Sequence, residues 1–148
     1  MLATLPMPLS FTDVAAIAND LAGVTIGLKW GHKTWIVGGR GFIWERPLGK
    51  ADLGRLGDTP PPHGDILGVR VENLDAKDAL LAMDLPGFFT IEHFKNYPGL
   101  LIELRKARKK DLRAAILDAH RVVSALAPAK PKRKPPRPRP RSRPRKAR

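Results

Sequence analysis

The residues of this sequence whose types and spacing could do chemistry are cationic, and they fall into two runs. Arg105-Lys106-Ala107-Arg108-Lys109-Lys110 sets five basic side chains within six positions. Further on, Lys130, Lys132, Arg133, Lys134, Arg137, Arg139, Arg141, Arg143, Arg145, Lys146 and Arg148 alternate with proline, and no acidic residue follows Asp118. The chemistry open to such groups is ion pairing with phosphate, which is favoured because each neutralised phosphate releases condensed counterions. In a polyproline II geometry of about 3.1 Å per residue, an arginine at every second position recurs every ~6 Å, against one phosphate per roughly 3.4 Å along a nucleic-acid strand. That spacing permits backbone contact without sequence reading. The same arm could instead be a solubilising tail, a basic address signal or a proline-rich peptide ligand.

Three smaller groups add aromatic or amide chemistry. Lys29-Trp30-Gly31-His32-Lys33-Thr34-Trp35 puts bases beside rings, an arrangement that holds phosphate while a ring stacks on a base; the alternative is that Trp30 and Trp35 are core residues and the charges solvate a turn. Gly38-Gly39-Arg40-Gly41 is either a wing tip presenting Arg40 to a groove or a plain glycine turn. His93, Lys95, Asn96 and Tyr97 could reach phosphates or base edges, or form a corner shaped by Pro98 and Gly99. His32 and His93 are the conceivable general bases, yet no nucleophile accompanies either, so no enzymatic activity is expected. The chain has no cysteine, and His32, His63, His93 and His120 lack the close pairing that puts two ligands on one helix face, so neither metal nor cofactor is expected.

Charge divides the chain unevenly. Of its 27 basic residues 11 lie beyond Pro128, so residues 1–128 retain 16 against 14 acidic ones. The expected organisation is one domain over 1–128 and a disordered Arg/Lys/Pro-rich arm over 129–148. With 43% hydrophobic residues, mostly before Pro128, the domain can bury a core unaided. No run approaches the ~18 apolar residues needed to span a bilayer, and Met1 to Ser10 lacks a basic n-region and carries two prolines, unlike a secretory signal. A cytoplasmic monomer, without a membrane partner, is expected.

The elements that must position these groups follow from periodicity. Ser10 with Asp13 three residues on signals an N-cap, and Phe11, Val14, Ile17, Ala18 and Leu21 recur at helical spacing up to Gly23. Thr25 to Trp30, Thr34 to Val37 and Phe42 to Glu45 are β-prone runs split by glycine turns, a three-stranded antiparallel meander. Residues 47–64 read as a Pro/Gly-rich surface loop broken at Pro60-Pro61-Pro62, in which Lys50 to Leu56 could form a helical turn. Asp65 to Val71 is a strand. Asp75 to Met83 is a short helix whose inner face would be Ala76, Ala79, Leu80 and Met83. Phe88, Phe89 and Ile91 form an apolar patch, Leu100 to Arg105 is the strongest strand, and Leu112, Ala115, Ile116, Ala119, Val122, Val123 and Leu126 mark one face of a closing helix. The order predicts an α+β domain, an antiparallel sheet with helices packed on one face.

Several short segments together resemble the MmcQ/YjbR-like family over about residues 10–127: Leu21-Ala22-Gly23-Val24, Trp30-Gly31-His32 and Val37-Gly38-Gly39-Arg40-Gly41-Phe42, then Asp84-Leu85-Pro86-Gly87-Phe88-Phe89-Thr90, His93-Phe94, Tyr97-Pro98-Gly99 and Leu117-Asp118-Ala119-His120-Arg121. The resemblance implies a secretion-chaperone-like α+β fold and a double-wing DNA-binding role inferred from shape, with no enzymatic activity. Two departures stand out. His120 replaces an aromatic expected before the arginine of the closing helix, and Arg46 to Gly64 is longer than a compact turn. The cationic arm is an addition to the family pattern.

The expected function is therefore nucleic-acid binding, DNA more than RNA, directed at phosphates with little sequence preference. The arm would tether, while the tips around Lys29, His32, Lys33 and Arg40, the Lys95-Asn96 corner and the 105–110 cluster would orient. A protein-interaction module that holds a partner peptide on the sheet or on an exposed Phe88-Phe89 patch is the alternative.

Overall fold

The computed structural model describes residues 8–56 and 64–126. The arm and the triple proline lie outside these residues. Helix α1 (Phe11–Ala18) starts in a capping box: the Ser10 hydroxyl accepts from the Thr12 amide, and the Asp13 carboxylate accepts from the Ser10 amide at 2.9 Å. It buries Val14, Ile17 and Ala18 and stops at Asn19, a turn earlier than its periodicity suggests, with Gly23 at φ +73° steering the chain into the sheet.

The meander forms as β1 (Thr25–Lys29), β2 (His32–Val37) and β3 (Arg40–Glu45). Each hairpin is closed by two residues with positive φ, Trp30 and Gly31 in the first and Gly38 and Gly39 in the second. Paired left-handed residues match the twist of the strands they join. Helix α2 (Lys50–Leu56) occupies the expected loop, so Lys50 to Leu56 is helical rather than merely turned. Strand β4 (Ile66–Arg70), helix α3 (Leu74–Ala82), strand β5 (Phe88–Phe89), a 3-10 turn over Glu92–Phe94, strand β6 (Gly99–Glu103) and helix α4 (Lys109–Ser124) complete the order. The six strands form one antiparallel sheet, β1-β2-β3-β4-β6-β5.

Alternation along the strands separates the two faces, except in β3, where a register shift against β2 turns both Phe42 and Ile43 to the same side. On one, Trp35, Val37, Phe42, Ile43, Leu67, Val69, Leu100 and Ile102 pack with α1 and with Leu112, Ala115, Ile116, Ala119 and Val123 of α4. On the other, Ile66, Leu101, Ile91 and Phe94 form a smaller cluster with Trp44, Leu48 and Phe89. β4 and β6 are buried on both faces, which is why Leu100 to Glu103 reads as an unbroken apolar run ended by one acid. The α+β class and the helical layer of α1 and α4 agree with the sequence. Two local expectations do not hold: Phe88 and Phe89 are half-buried, one against each cluster, and so form no exposed patch. Of the expected inner face of α3, Leu80 packs on the core, but Ala79 and the C-cap Met83 face solvent, and Lys77 is the buried residue.

His120 links α4 to the core and to the turn before β1. Its ring meets Phe42 edge-on at 5.5 Å, and Nε2 lies 2.8 Å from the Ala22 carbonyl, to which it donates. The hydrogen bond ties α4 to the turn before β1.

Candidate functional site

The face of the sheet away from α1 and α4 is only partly covered, and beyond the small apolar cluster it opens into a cleft of about 830 Å³. Lys29, Trp30, His32, Thr34, Arg40, Trp44, Arg46, Arg70, His93, Phe94 and Tyr97 line it with Gly39 and Gly41, and among the described residues no carboxylate does. Strand register accounts for most of this. Lys29 pairs with His32, Thr34 with Trp44 and Trp44 with Gly68, so these side chains share one face across four strands.

Two glycines make room for the floor. A Cβ on Gly68 would lie 2.3 Å from Cε2 of Trp44, and one on Gly99 would lie 2.5 Å from Cε2 of Tyr97. Each ring therefore rests on bare strand backbone, Trp44 on β4 and Tyr97 on the start of β6. The Trp44 and Tyr97 rings meet edge-on at 6.2 Å, and Phe94 closes the set at 5.4 Å from Tyr97. Burial raises the Tyr97 phenol above its ordinary value of 10.0, with the nearby Arg70 charge opposing the shift, so the hydroxyl stays protonated and able to donate.

The cations are held from behind. Arg46 pairs with Asp52 at 3.3 Å, and its guanidinium lies 5.7 Å from the Phe94 ring centre. Burial acts to raise the Asp52 pKa, but the Gly49 amide at 3.0 Å and the Arg46 charge together bring it below 3.8. Arg70 donates through Nε to the Val71 carbonyl at 3.1 Å. The segment carrying His93, Phe94 and Tyr97 is pinned by Lys77, whose ammonium donates to the Phe94 carbonyl and, at 3.1 Å, to the Tyr97 carbonyl.

Of the residues expected to bind from the sequence, Lys29, His32 and Arg40 line this cleft. Lys33 does not: it sits over the Trp35 ring at 5.1 Å, and Trp35 belongs to the core on the opposite face. The two tryptophans of that motif thus part ways, Trp35 fully buried and Trp30 94% exposed. Lys95 lines a separate depression with Asp52, Arg55, Lys77, Asp78 and Glu92, and Asn96 is exposed beside it. The 105–110 run follows the end of β6 opposite to Gly99 and contributes nothing to the cleft lining. There Arg105 runs along Gly64, Lys106 pairs with Glu103 at 3.5 Å and Arg108 pairs with Asp111 at 2.7 Å, while Lys109 and Lys110 are exposed. Asp111 in the first turn offsets the unfavourable cations at the start of α4. The bases from Lys130 to Arg145 lie outside the described residues.

Over 107 residues the chain is 40% identical to a protein of Mycobacterium bovis, Uncharacterized protein Mb2600, a match spanning 70% of this chain and 81% of the mycobacterial one. Uncharacterized protein MT2646 and Uncharacterized protein Rv2570 of Mycobacterium tuberculosis match to the same extent. The chain belongs to the family of these mycobacterial proteins. No family model matches it, and no solved structure does.

For this family member, sequence reasoning missed Trp44, Arg46 and Arg70 as site residues. The available signal was Gly68-Val69-Arg70 in β4, where a glycine and a cation recur on the face that Val69 leaves. Recognising its meaning requires the register that sets Gly68 beside Trp44. Among the described residues no group of His, Asp and Glu is arranged to hold a metal ion, and no helix is long and apolar enough to cross a membrane.

Proposed function

We propose that this protein binds nucleic acid, DNA more readily than RNA, mainly through phosphates and with little sequence preference. The observation that carries the reading is the cleft lining: Lys29, Arg40, Arg46 and Arg70 face one space together with the imidazoles of His32 and His93, and among the described residues no carboxylate lines it. A low-dielectric wall of rings behind those cations focuses a positive potential on whatever enters. The arm beyond Pro128 supplies a second cationic surface, and the two together suit a polyanion. In the same reading the protein is non-enzymatic, cytoplasmic, a monomer before it binds, and akin to the MmcQ/YjbR-like proteins.

Salt titration of binding to a labelled DNA duplex, with the full chain and with a chain lacking residues 129–148, tests this. If six arm cations engage, log K of the full chain falls with log salt at a slope of about −5, and deletion flattens the slope and costs orders of magnitude at low salt. Equal affinity of the two chains would remove the arm from the reading, and no binding of either a duplex or a single strand at modest ionic strength would end it.

A second reading has one observation in its favour. β1 is an edge of the sheet, and Ile26 and Leu28 on it are 49% and 76% exposed. Such an edge can accept a partner strand. A complex with a protein partner that survives nuclease and high salt would favour an adaptor role.

A further inference from the structure

We infer that the cleft is built for unpaired bases, so that its ligand is a single-stranded stretch of nucleic acid whose bases stack on Trp30, Trp44 and Tyr97 between flanking phosphates. The inference rests on the nucleic-acid reading of this cleft and adds the class of strand to it.

Trp30 is the first observation. It is 94% exposed, and its backbone has φ +56° at the hairpin tip, a conformation in which asparagine or glycine is the usual occupant. A tryptophan there gains no burial and strains its own turn, so the fold does not account for its presence. The ring nonetheless lines the cleft, flanked by Lys29 and His32.

The floor is the second. Trp44 is half-buried and Tyr97 is 40% exposed, each seated on a strand glycine that any side chain would lift it from. These rings are held in place yet not sealed from solvent. Arg40, Arg46 and Arg70 line the same space, so aromatic surface and phosphate-binding charge alternate as they do in sequence-tolerant single-strand sites. A duplex keeps its base faces stacked inside and offers this cleft only phosphates. An unpaired strand offers both, and about 830 Å³ exceeds what a single buried contact needs.

The test uses the full chain, tryptophan fluorescence and anisotropy, and three probes of equal phosphate count: oligo-dT, an abasic strand of the same length, and a duplex. Oligo-dT should quench tryptophan emission and bind about ten-fold or more tightly than the abasic strand, since one base–ring stack accounts for roughly that factor. Trp30→Gly should be the informative variant, because relieving the turn raises Tm by a few degrees while affinity for oligo-dT falls toward the abasic level. Trp44→Phe, which keeps a ring on Gly68, should lose less. Equal binding of oligo-dT and the abasic strand, or of oligo-dT and the duplex, overturns the stacking inference and leaves the phosphate reading in place. Binding of none of the three overturns both.

Discussion

At the scale of single residues, Lys77 carries more of the site than its position suggests. It is 3% exposed, the one fully buried side chain of a helix whose Leu80 and Leu81 are half-buried against the core, and its ammonium holds the carbonyls of two residues that line the cleft, Phe94 and Tyr97. Both carbonyls also accept backbone amides, from Tyr97 and Gly99 respectively, so losing the lysine weakens the corner without orphaning it. Lys77→Met should therefore cost about 1–3 kcal/mol in urea unfolding, typical of losing hydrogen bonds to a charged group, with methionine filling most of the volume. The pH dependence has a definite sign. Burial pushes the ammonium pKa below 10.5, with the nearby Asp78 carboxylate opposing the shift. Between the lowered value and 10.5 the unfolded chain binds more protons, so the group's contribution to stability grows as pH rises through that window. The gap between wild type and Lys77→Met should widen toward alkaline pH, and a constant gap would show that the ammonium is not desolvated.

At the scale of elements, glycine placement decides whether the cleft exists. Gly68 lies in a strand hydrogen-bonded on both sides, and a Cβ there would meet Cε2 and Nε1 of Trp44 at 2.3 and 2.4 Å. Gly68→Ala should cost about 1–3 kcal/mol, the range for overpacking, and should move the Trp44 emission as the ring lifts. Gly54→Ala in α2 is the contrast: nothing lies within 4 Å of the added carbon, and the helix should gain roughly 0.5–1 kcal/mol. Alanine tolerated equally at both positions would mean that Trp44 is not seated as described. The same contrast shows what the sequence could reveal. Capping at Ser10, the glycines at both hairpin turns and the apolar stripe of α4 are local signals, and each element they announce is present. Leu80 of α3 was legible and packs on the core, but the burial of Lys77 was not, because it is rewarded by carbonyls 17 and 20 residues further on. Trp44, Arg46 and Arg70 were illegible because only pairing between strands brings them together.

At the scale of the whole molecule, the sequence carries two sets of cations, those that line the cleft and those beyond Pro128, on a chain whose residues 1–128 are nearly neutral. Two surfaces that engage the same strand turn the second contact into an intramolecular one, raising avidity far beyond either alone, provided the strand can reach both. Strand length then becomes the variable that reports their cooperation. An oligo-dT of roughly 5 nucleotides, near the lower end of the site size of a single-strand module, fills the cleft or the arm but not both, whereas one of roughly 20 can occupy both. For the intact chain, affinity should therefore climb by about 10²-fold or more between these lengths, more than the count of equivalent registers explains. For the chain lacking residues 129–148 the climb should be modest. Should the intact chain bind both lengths alike, the arm and the cleft work on different ligands, and the arm's contribution would have to be sought in an address signal or a proline-directed partner.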